Sequence, residues 1–168
     1  PPPVEPAMRV QEIFVGSAAN PTAQYVELRF SLPATTADAK IYVADRNGAN
    51  GALFATFTAD ALFKSADRRL LACTLDAVTQ LGLACDAVTS GPLLDRQGGA
   101  VFFSVGSDLV FYGAYTASLQ GQTAAAALPP DNHSIDRTRY TGQSGADFAA
   151  ADPTPTNNAG LSTFGLKP

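Results

Sequence analysis

The sequence is poor in several residue types, and each scarcity excludes a class of protein. Its 168 residues include no tryptophan, one histidine, one methionine and two cysteines. Lys and Arg number 11 against 15 acidic residues, which gives a net charge of -4. The basic residues are scattered, so we predict no nucleic-acid partner, because binding to phosphates needs clustered positive charge. No apolar run approaches the roughly 20 residues of a membrane-crossing helix, which predicts no transmembrane segment.

The scarcity of histidine and cysteine also limits catalysis and metal binding. No Gly-x-Ser-x-Gly elbow, phosphate-binding loop or His-Glu-x-x-His motif occurs, and too few ligands exist for a zinc site. Asp131 and Ser134 lie beside the sole histidine, His133, but in no recognised catalytic spacing, so we interpret His133 as a surface or strand-edge residue. We predict a non-enzyme with no catalytic residue, cofactor or metal ligand. The alternative is a hydrolase that uses His133 or loop carboxylates.

The composition is typical of one turn-rich, all-β domain. Charged residues make up 15% of the chain, below the usual ~25%, while it contains 14 Gly, 12 Pro and 46% apolar residues. This length fits one domain with its own core. Residues 1–6, "PPPVEP", are predicted to form an extended linker, and residues 7–168 the domain. Because Pro1 is not a methionine, we expect a processed or trimmed product.

The two cysteines, Cys73 and Cys85, predict a disulfide. An even pair in a turn-rich chain favours a bridge over a metal site, and closing this short loop would stabilise the fold by about 3 kcal/mol. Two unconnected buried thiols are the alternative. A disulfide implies an oxidising location, so we predict an extracellular, cell-surface or periplasmic protein.

Alternation of apolar and polar residues with period two predicts half-buried strands. In "QYVELRF", Val26, Leu28 and Phe30 share one face and are the strongest core candidates. The opposite face carries Tyr25, Glu27 and Arg29. In "MRVQEIFV" the pattern is mixed: it places Met8, Val10 and Glu12 on one face and Gln11, Ile13 and Val15 on the other.

Two hairpins and one helix follow from local signals. "KIYVAD" and "ALFATF" flank "RNGANG", whose Asn-Gly pairs suit a tight turn. Val101–Phe103 and Leu109–Tyr115 flank the turn "VGSD" and are predicted to form the hydrophobic centre. The helix begins after the cap Thr74, repeats Leu75, Val78 and Leu81, and stops before Gly82. "HSIDRTRY" is predicted as the last strand, and the residues after it as a surface segment.

Loop oxygens and tyrosines are weaker candidates for ligand binding. Asp45, Asn47 and Asn50 share one loop and could contribute to a calcium site, although the same residues are ordinary in a β-turn. A second oxygen-rich set is Asp131, Asn132, Asp147 and Asp152. Most aromatic residues are predicted to lie in the core, and the exceptions that could stack on a carbohydrate are Tyr112, Tyr115 and Tyr140.

Short motifs spread along the chain resemble those of lamin-tail domains. The order matches throughout, and the corresponding segments are Gln11-Glu12-Ile13, Tyr25-Val26-Glu27-Leu28, the hairpin around "GGAVFF" and "DLVFY", Ser134-Ile135-Asp136-Arg137, Phe148 and Thr154-Pro155-Thr156-Asn157-Asn158. The chain departs from the family where Lys40-Ile41 replaces Gly-Trp and where no Gly follows Pro155. Residues 74–92, with the helix, resemble an insertion.

The resemblance implies an immunoglobulin-like β-sandwich with one short helical insertion and without catalytic residues. It also implies a secreted or cell-surface bacterial module that acts in adhesion, tethering or extracellular assembly through protein partners or self-association. Exposed strand edges suit such contacts. The alternative is an accessory module of a secreted enzyme system that binds calcium or carbohydrate.

Overall fold

Two β-sheets pack face to face in the computed structural model, which describes residues 3–30, 39–49, 51–58, 68–89, 91–104 and 108–160. The predicted all-β sandwich with a short helical insertion is confirmed. One sheet has six strands in the order β10-β9-β1-β2-β5-β6, and the other has four in the order β4-β3-β7-β8. All pairs are antiparallel except β5 and β6.

The elements follow the predicted segments closely. They are β1 (Met8–Phe14), β2 (Tyr25–Phe30), β3 (Lys40–Asp45), β4 (Ala52–Thr56), β5 (Arg69–Thr74), α1 (Leu75–Leu81), β6 (Ala87–Thr89), β7 (Gly98–Phe103), β8 (Asp108–Gly113), β9 (Ser134–Arg137), α2 (Ser144–Asp147) and β10 (Phe148–Ala151). Both predicted hairpins form, β3 with β4 and β7 with β8. Residues 105–107 of the "VGSD" turn lie outside the described residues, as do Pro1 and Pro2 of the predicted linker.

The face assignment predicted for β1 is wrong, because Gln11 forms a β-bulge. The register against β2 shifts between Val10 and Glu12, so one extra residue sits on β1. This shift puts Val10, Ile13 and Val15 together in the core between the sheets. Glu12 and Phe14 therefore lie on the outer face of the six-stranded sheet.

The core between the sheets confirms the strand predictions for β2. Val26, Leu28 and Phe30 are buried there and meet Val101 and Phe103 from β7. Phe30 and Phe103 make an edge-to-face ring contact with centroids 6.1 Å apart. The predicted hydrophobic centre is thus part of this core.

The helix α1 begins and ends where its capping residues predict. The Thr74 hydroxyl accepts a hydrogen bond from the Ala77 N–H, and Gly82 ends the helix with a left-handed φ of 69°. Of the repeated apolar residues, Leu81 is buried and Leu75 is exposed, while Ala77 is also buried. Ala77 and Leu81 pack with Cys73 and Tyr25 on the outer face of the six-stranded sheet.

A disulfide joins Cys73 at the end of β5 to Cys85 after α1, with the Cα atoms 6.0 Å apart. It fastens both ends of the helical insertion to the sheet, as predicted. No cysteine in the described chain is free.

The prediction for the C-terminal region is wrong in two respects. β9 is not the last strand, because α2 and β10 follow it and β10 pairs with β9 along the sheet edge. The segment beyond β10 is not a surface trail either, since Pro155, Asn157 and Asn158 are buried. We call residues 152–158 the C-terminal cover, because they lie across the outer face of the six-stranded sheet.

Candidate functional site

The edge of the four-stranded sheet at β8 is closed by the chain itself. The Gly113 N–H donates to the Ala126 carbonyl, and the Ala126 N–H donates to the Phe111 carbonyl, each at 2.8 Å. The Phe111 N–H donates to the Ser144 hydroxyl, and the Gln122 side-chain amide donates to the Leu109 carbonyl. Strand addition at this edge is therefore blocked.

The edge of the six-stranded sheet at β10 is open along the part of the chain that the structure describes. The Thr138 N–H donates to the Asp147 carbonyl at 2.8 Å, so the alternation of an antiparallel pair directs the N–H and C=O of Ala150 away from β9. Ala149 and Ala150 are exposed, and β10, "FAAA", contains no proline, charge or bulge. Edge strands are often protected from pairing by a proline, a charged side chain or a bulge, and β10 has none of the three.

The outer face of the six-stranded sheet holds two buried glutamates beneath the C-terminal cover. Glu12 is fully buried and accepts hydrogen bonds from the Tyr25 hydroxyl at 2.6 Å and from the N–H and hydroxyl of Thr154 at 3.0 and 3.1 Å. Glu27, also fully buried, forms an ion pair with Arg69 and accepts from the Thr156 N–H at 2.7 Å. The cover is thus held by carboxylates, and it hides them from water.

A third carboxylate anchors the end of the cover. Asp86 accepts from the Asn158 N–H at 2.9 Å and from the Leu71 N–H at 2.8 Å. The side-chain amide of Asn157 donates to the Ala84 carbonyl, next to Cys85, at 2.9 Å. The disulfide-bonded insertion therefore contributes directly to holding the C-terminal cover.

Burial raises the pKa of these carboxyl groups. Desolvation is the main cause for Glu12, Glu27 and Asp86, and it raises the pKa of Glu27 from about 4.5 to about 8 despite the attraction of Arg69. Between these values the native state holds a proton that the unfolded chain has released. The contribution of Glu27 to the free energy of unfolding is therefore fully present below about pH 4.5 and is lost as the pH rises through about 8.

We expect chemical denaturation to report a lower free energy of unfolding at pH 8 than at pH 5. The Glu27→Gln variant removes the strongest of the three titrations and should flatten this dependence. The half-buried Asp76 in α1 offers a matched control, since Asp76→Asn should keep the wild-type slope. A slope that Glu27→Gln leaves unchanged would contradict the assignment to Glu27.

A second buried charge cluster is centred on Arg137 in β9. Its guanidinium donates to Asp108 at 2.7 Å, to Asp147 at 3.3 Å and to the Val10 carbonyl at 2.9 Å. All three charged side chains are at most 5% exposed. The guanidinium also lies over the ring of Phe148, 4.5 Å from its centroid. Arg137 thus joins β1, β8, β9 and β10 at one end of the sandwich.

A polar cleft of about 370 Å³ opens beside this cluster. Asp108, Arg137 and Asp147 line it on one side, and Gln120, Gln143 and Tyr140 are among its other residues. Sequence reasoning did not single out Asp108 or Arg137 as a site. The available signal was a charged residue at the start of an otherwise apolar strand, "DLVFYG".

The structure does not bring a nucleophile to His133. Its Nδ1 lies 3.0 Å from the Asp131 carbonyl and its Nε2 lies 3.5 Å from Asp152, while the side chain is 39% exposed. The neighbouring Ser134 is buried and its hydroxyl donates to the Ala151 carbonyl. Among the described residues, His133 therefore has no hydroxyl or thiol partner in hydrogen-bonding reach, and the prediction of a surface histidine stands.

The predicted calcium ligands form no common site within the described chain, where no group of three acidic, histidine or cysteine residues could hold a metal. Asp45 instead accepts from the N–H groups of Asn47 and Ala49, which is the turn interpretation. Asn50 lies outside the described residues. Of the second set, Asp147 is bound in the Arg137 cluster, whereas Asp131 accepts from the Ala18 N–H.

The three tyrosines that were predicted to lie outside the core differ in their burial. Tyr112 is fully buried in the core and donates to the Asp95 carbonyl at 3.0 Å, so its assignment as an exception is wrong. Tyr115 is half-buried against Phe111. Tyr140 is half-buried at the polar cleft, where the guanidinium of Arg137 lies 5.2 Å from its ring centroid.

No family model, curated protein or solved structure matches this chain. The helices within the described residues are all too short and too polar to cross a membrane. Functional inference therefore depends on the edge strand, the covered carboxylates and the polar cleft.

Proposed function

We propose that this protein is a non-catalytic contact module of the lamin-tail type that assembles by adding a strand to its open β10 edge. The observation that carries this proposal is the contrast between two sheet edges. Residues 122–144 close β8 with four hydrogen bonds, whereas Ala150 presents its backbone N–H and C=O outward. Unpaired backbone groups on an exposed edge are the basis of strand addition.

The lamin-tail assignment draws support from contacts between the motif residues. Glu12, Tyr25 and Thr154 belong to three separate motif segments, and Glu12 accepts hydrogen bonds from both of the others. Arg137 and Phe148 from two others are stacked, and Thr156 donates to Glu27. Residues from separate lamin-tail motifs are thus in contact in the structure. Such contacts are expected if the chain shares the fold of lamin-tail domains.

The location we propose is outside the cytoplasm, at the cell surface, in the periplasm or in the medium. The Cys73–Cys85 disulfide supports it, because such bridges persist in oxidising compartments. A contact module exposed there could tether or assemble proteins without chemistry of its own.

The most economical strand donor is a second copy of this chain. Two β10 edges related by a two-fold axis can pair antiparallel and continue one sheet across both molecules. Analytical ultracentrifugation over graded concentrations should therefore detect a reversible dimer. The Ala150→Pro variant should weaken this dimer at least tenfold, because proline lacks the outward N–H yet is tolerated at such edge positions.

Ala150→Ser is the matched control, since it changes the same side chain and keeps the backbone donor. It should dimerise like the wild type. A chain that remains monomeric at every concentration, or an Ala150→Pro dimer as strong as the wild type, would overturn the β10 assignment. Equal melting temperatures for the two variants would show that the change acts at the edge and not on the fold.

A further inference from the structure

The polar cleft beside Arg137 has the size of a small-molecule site and retains unused hydrogen-bonding groups. Its volume of about 370 Å³ lies within the range of about 300–1,000 Å³ for ligand pockets. Asp108 is only 5% exposed, and its Oδ2 is bound by Arg137 and by the Val10 N–H. No described residue bonds its Oδ1, and the Asp108 side chain is one of those that line the cleft. A nearly buried carboxylate that keeps one oxygen unpaired here is a preformed acceptor.

Side chains with donor groups line the same cleft. The Tyr140 hydroxyl has no partner among the residues that the structure describes, and the same holds for the side-chain NH₂ group of Gln143 and the side-chain amide of Gln120. The Gln143 side chain is held in place because its carbonyl oxygen accepts from Thr123 at 2.6 Å. The cleft therefore offers donors and an acceptor together, and other contacts hold two of these groups, Asp108 and Gln143, in place.

The charges of the cleft disfavour an anionic ligand, and its carboxylates offer few free oxygens to a cation. Asp108 and Asp147 face one Arg137, which leaves a net negative charge, and nearby Arg9 is neutralised by Glu5 at 2.6 Å. An anion would be repelled by the two carboxylates. A cation would be attracted by this net charge, but it would find only one carboxylate oxygen without a partner among the described residues, on Asp108. Both oxygens of Asp147 are engaged, by Thr141, Gly142 and Arg137, so they add no free acceptor.

We infer that the cleft is a binding site for a neutral sugar, whose hydroxyl groups are donors and acceptors at once. One hydroxyl donates to the free oxygen of Asp108, and others accept from Gln143 and from Tyr140. The C–H face of a pyranose ring packs against the side of the Tyr140 ring that Arg137 leaves open. This site is separate from the β10 edge, so the module would combine self-association with sugar binding.

The test is a titration of the full chain with glucose, galactose and mannose, followed by NMR. At least one of the three should shift the amide signals of Gly121, Gly142 and Ser144 with a Kd in the millimolar range. The Tyr140→Ala variant should weaken this binding at least tenfold, and the exposed Gln120→Ala should weaken it severalfold without lowering the melting temperature.

Tyr42→Ala is the matched control, because Tyr42 is a half-buried tyrosine on the four-stranded sheet and does not line this cleft. It should bind as the wild type does. Absence of shifts at the cleft with all three sugars would overturn the inference. Equal weakening by Tyr42→Ala and Tyr140→Ala would overturn it as well, since the shifts would then not report on the cleft. Neither result bears on the dimer that Ala150 tests.

Discussion

Replacing Arg137 with methionine is expected to lower the free energy of unfolding by about 3–5 kcal/mol, which is the usual cost of removing one partner from a buried ion pair. The variant would leave Asp108 and Asp147, at most 5% exposed, without the cation between them. The Val10 carbonyl would lose its donor too. Urea denaturation at pH 7 measures this loss directly.

The large loss of stability is expected because Arg137 is buried. Replacing an exposed arginine should not have the same effect. Arg139 lies two residues away and is exposed, and its guanidinium donates to the Ala146 carbonyl at 2.7 Å. Arg139→Met should cost less than about 1 kcal/mol, as surface substitutions usually do. If the two variants were equally destabilised, Arg137 would not be the structural centre we describe.

A double-mutant cycle identifies the partner. In an Asp108→Asn background, Arg137→Met should cost less than it does alone, because one of the two buried charges is already absent. Arg137→Lys should be intermediate, since lysine keeps the charge but lacks the planar fork that contacts several acceptors at once. Additive losses in the cycle would show that the two residues do not interact.

Removal of the C-terminal cover is expected to destabilise the domain by about 3 kcal/mol. A chain that ends after Ala151 loses the hydrogen bonds that Thr154, Thr156 and Asn158 make with carboxylates, and net contributions of about 1 kcal/mol are typical for each. It also exposes the apolar surface beneath Pro155. Thermal and urea unfolding of the purified chain would measure the loss.

The same truncation should change the pH dependence. Without the cover, Glu12 and Glu27 would reach water, their pKa values would return toward ordinary ones, and the fall in stability between pH 5 and pH 8 would flatten. A chain that ends after Gly160 is the control, because it keeps the whole cover. If both truncations behaved alike, the cover would not be what buries the carboxylates.

Patterns that depend on neighbouring residues could be read from the sequence. The helix α1 is bounded by Thr74 and Gly82 as its caps predict, because capping depends on groups within one turn. The β2 core residues Val26 and Leu28 follow from period-two alternation. The disulfide followed from there being only two cysteines to pair.

Features that depend on which strands become neighbours in the sheets could not be predicted from local sequence patterns. The bulge at Gln11 changes the face of the residues that follow it relative to Val10, and nothing in that segment signals an extra residue. Tyr25 and Glu27 were assigned to the face opposite the core, yet both are fully buried there. That burial requires α1 and the C-terminal cover, which come from distant parts of the chain.

The all-β class, most of the strands, the capped helix and the disulfide could be predicted from the amino-acid sequence, because each depends on local periodicity, local backbone geometry or residue counts. Only the tertiary structure decided which edge stays open, which carboxylates are buried and that Asp108, Arg137 and Asp147 surround one cleft. The physical reason is that hydrogen bonds and ion pairs act over a few ångströms. Which residues come that close is set by strand order and register, and these depend on the packing of the whole chain.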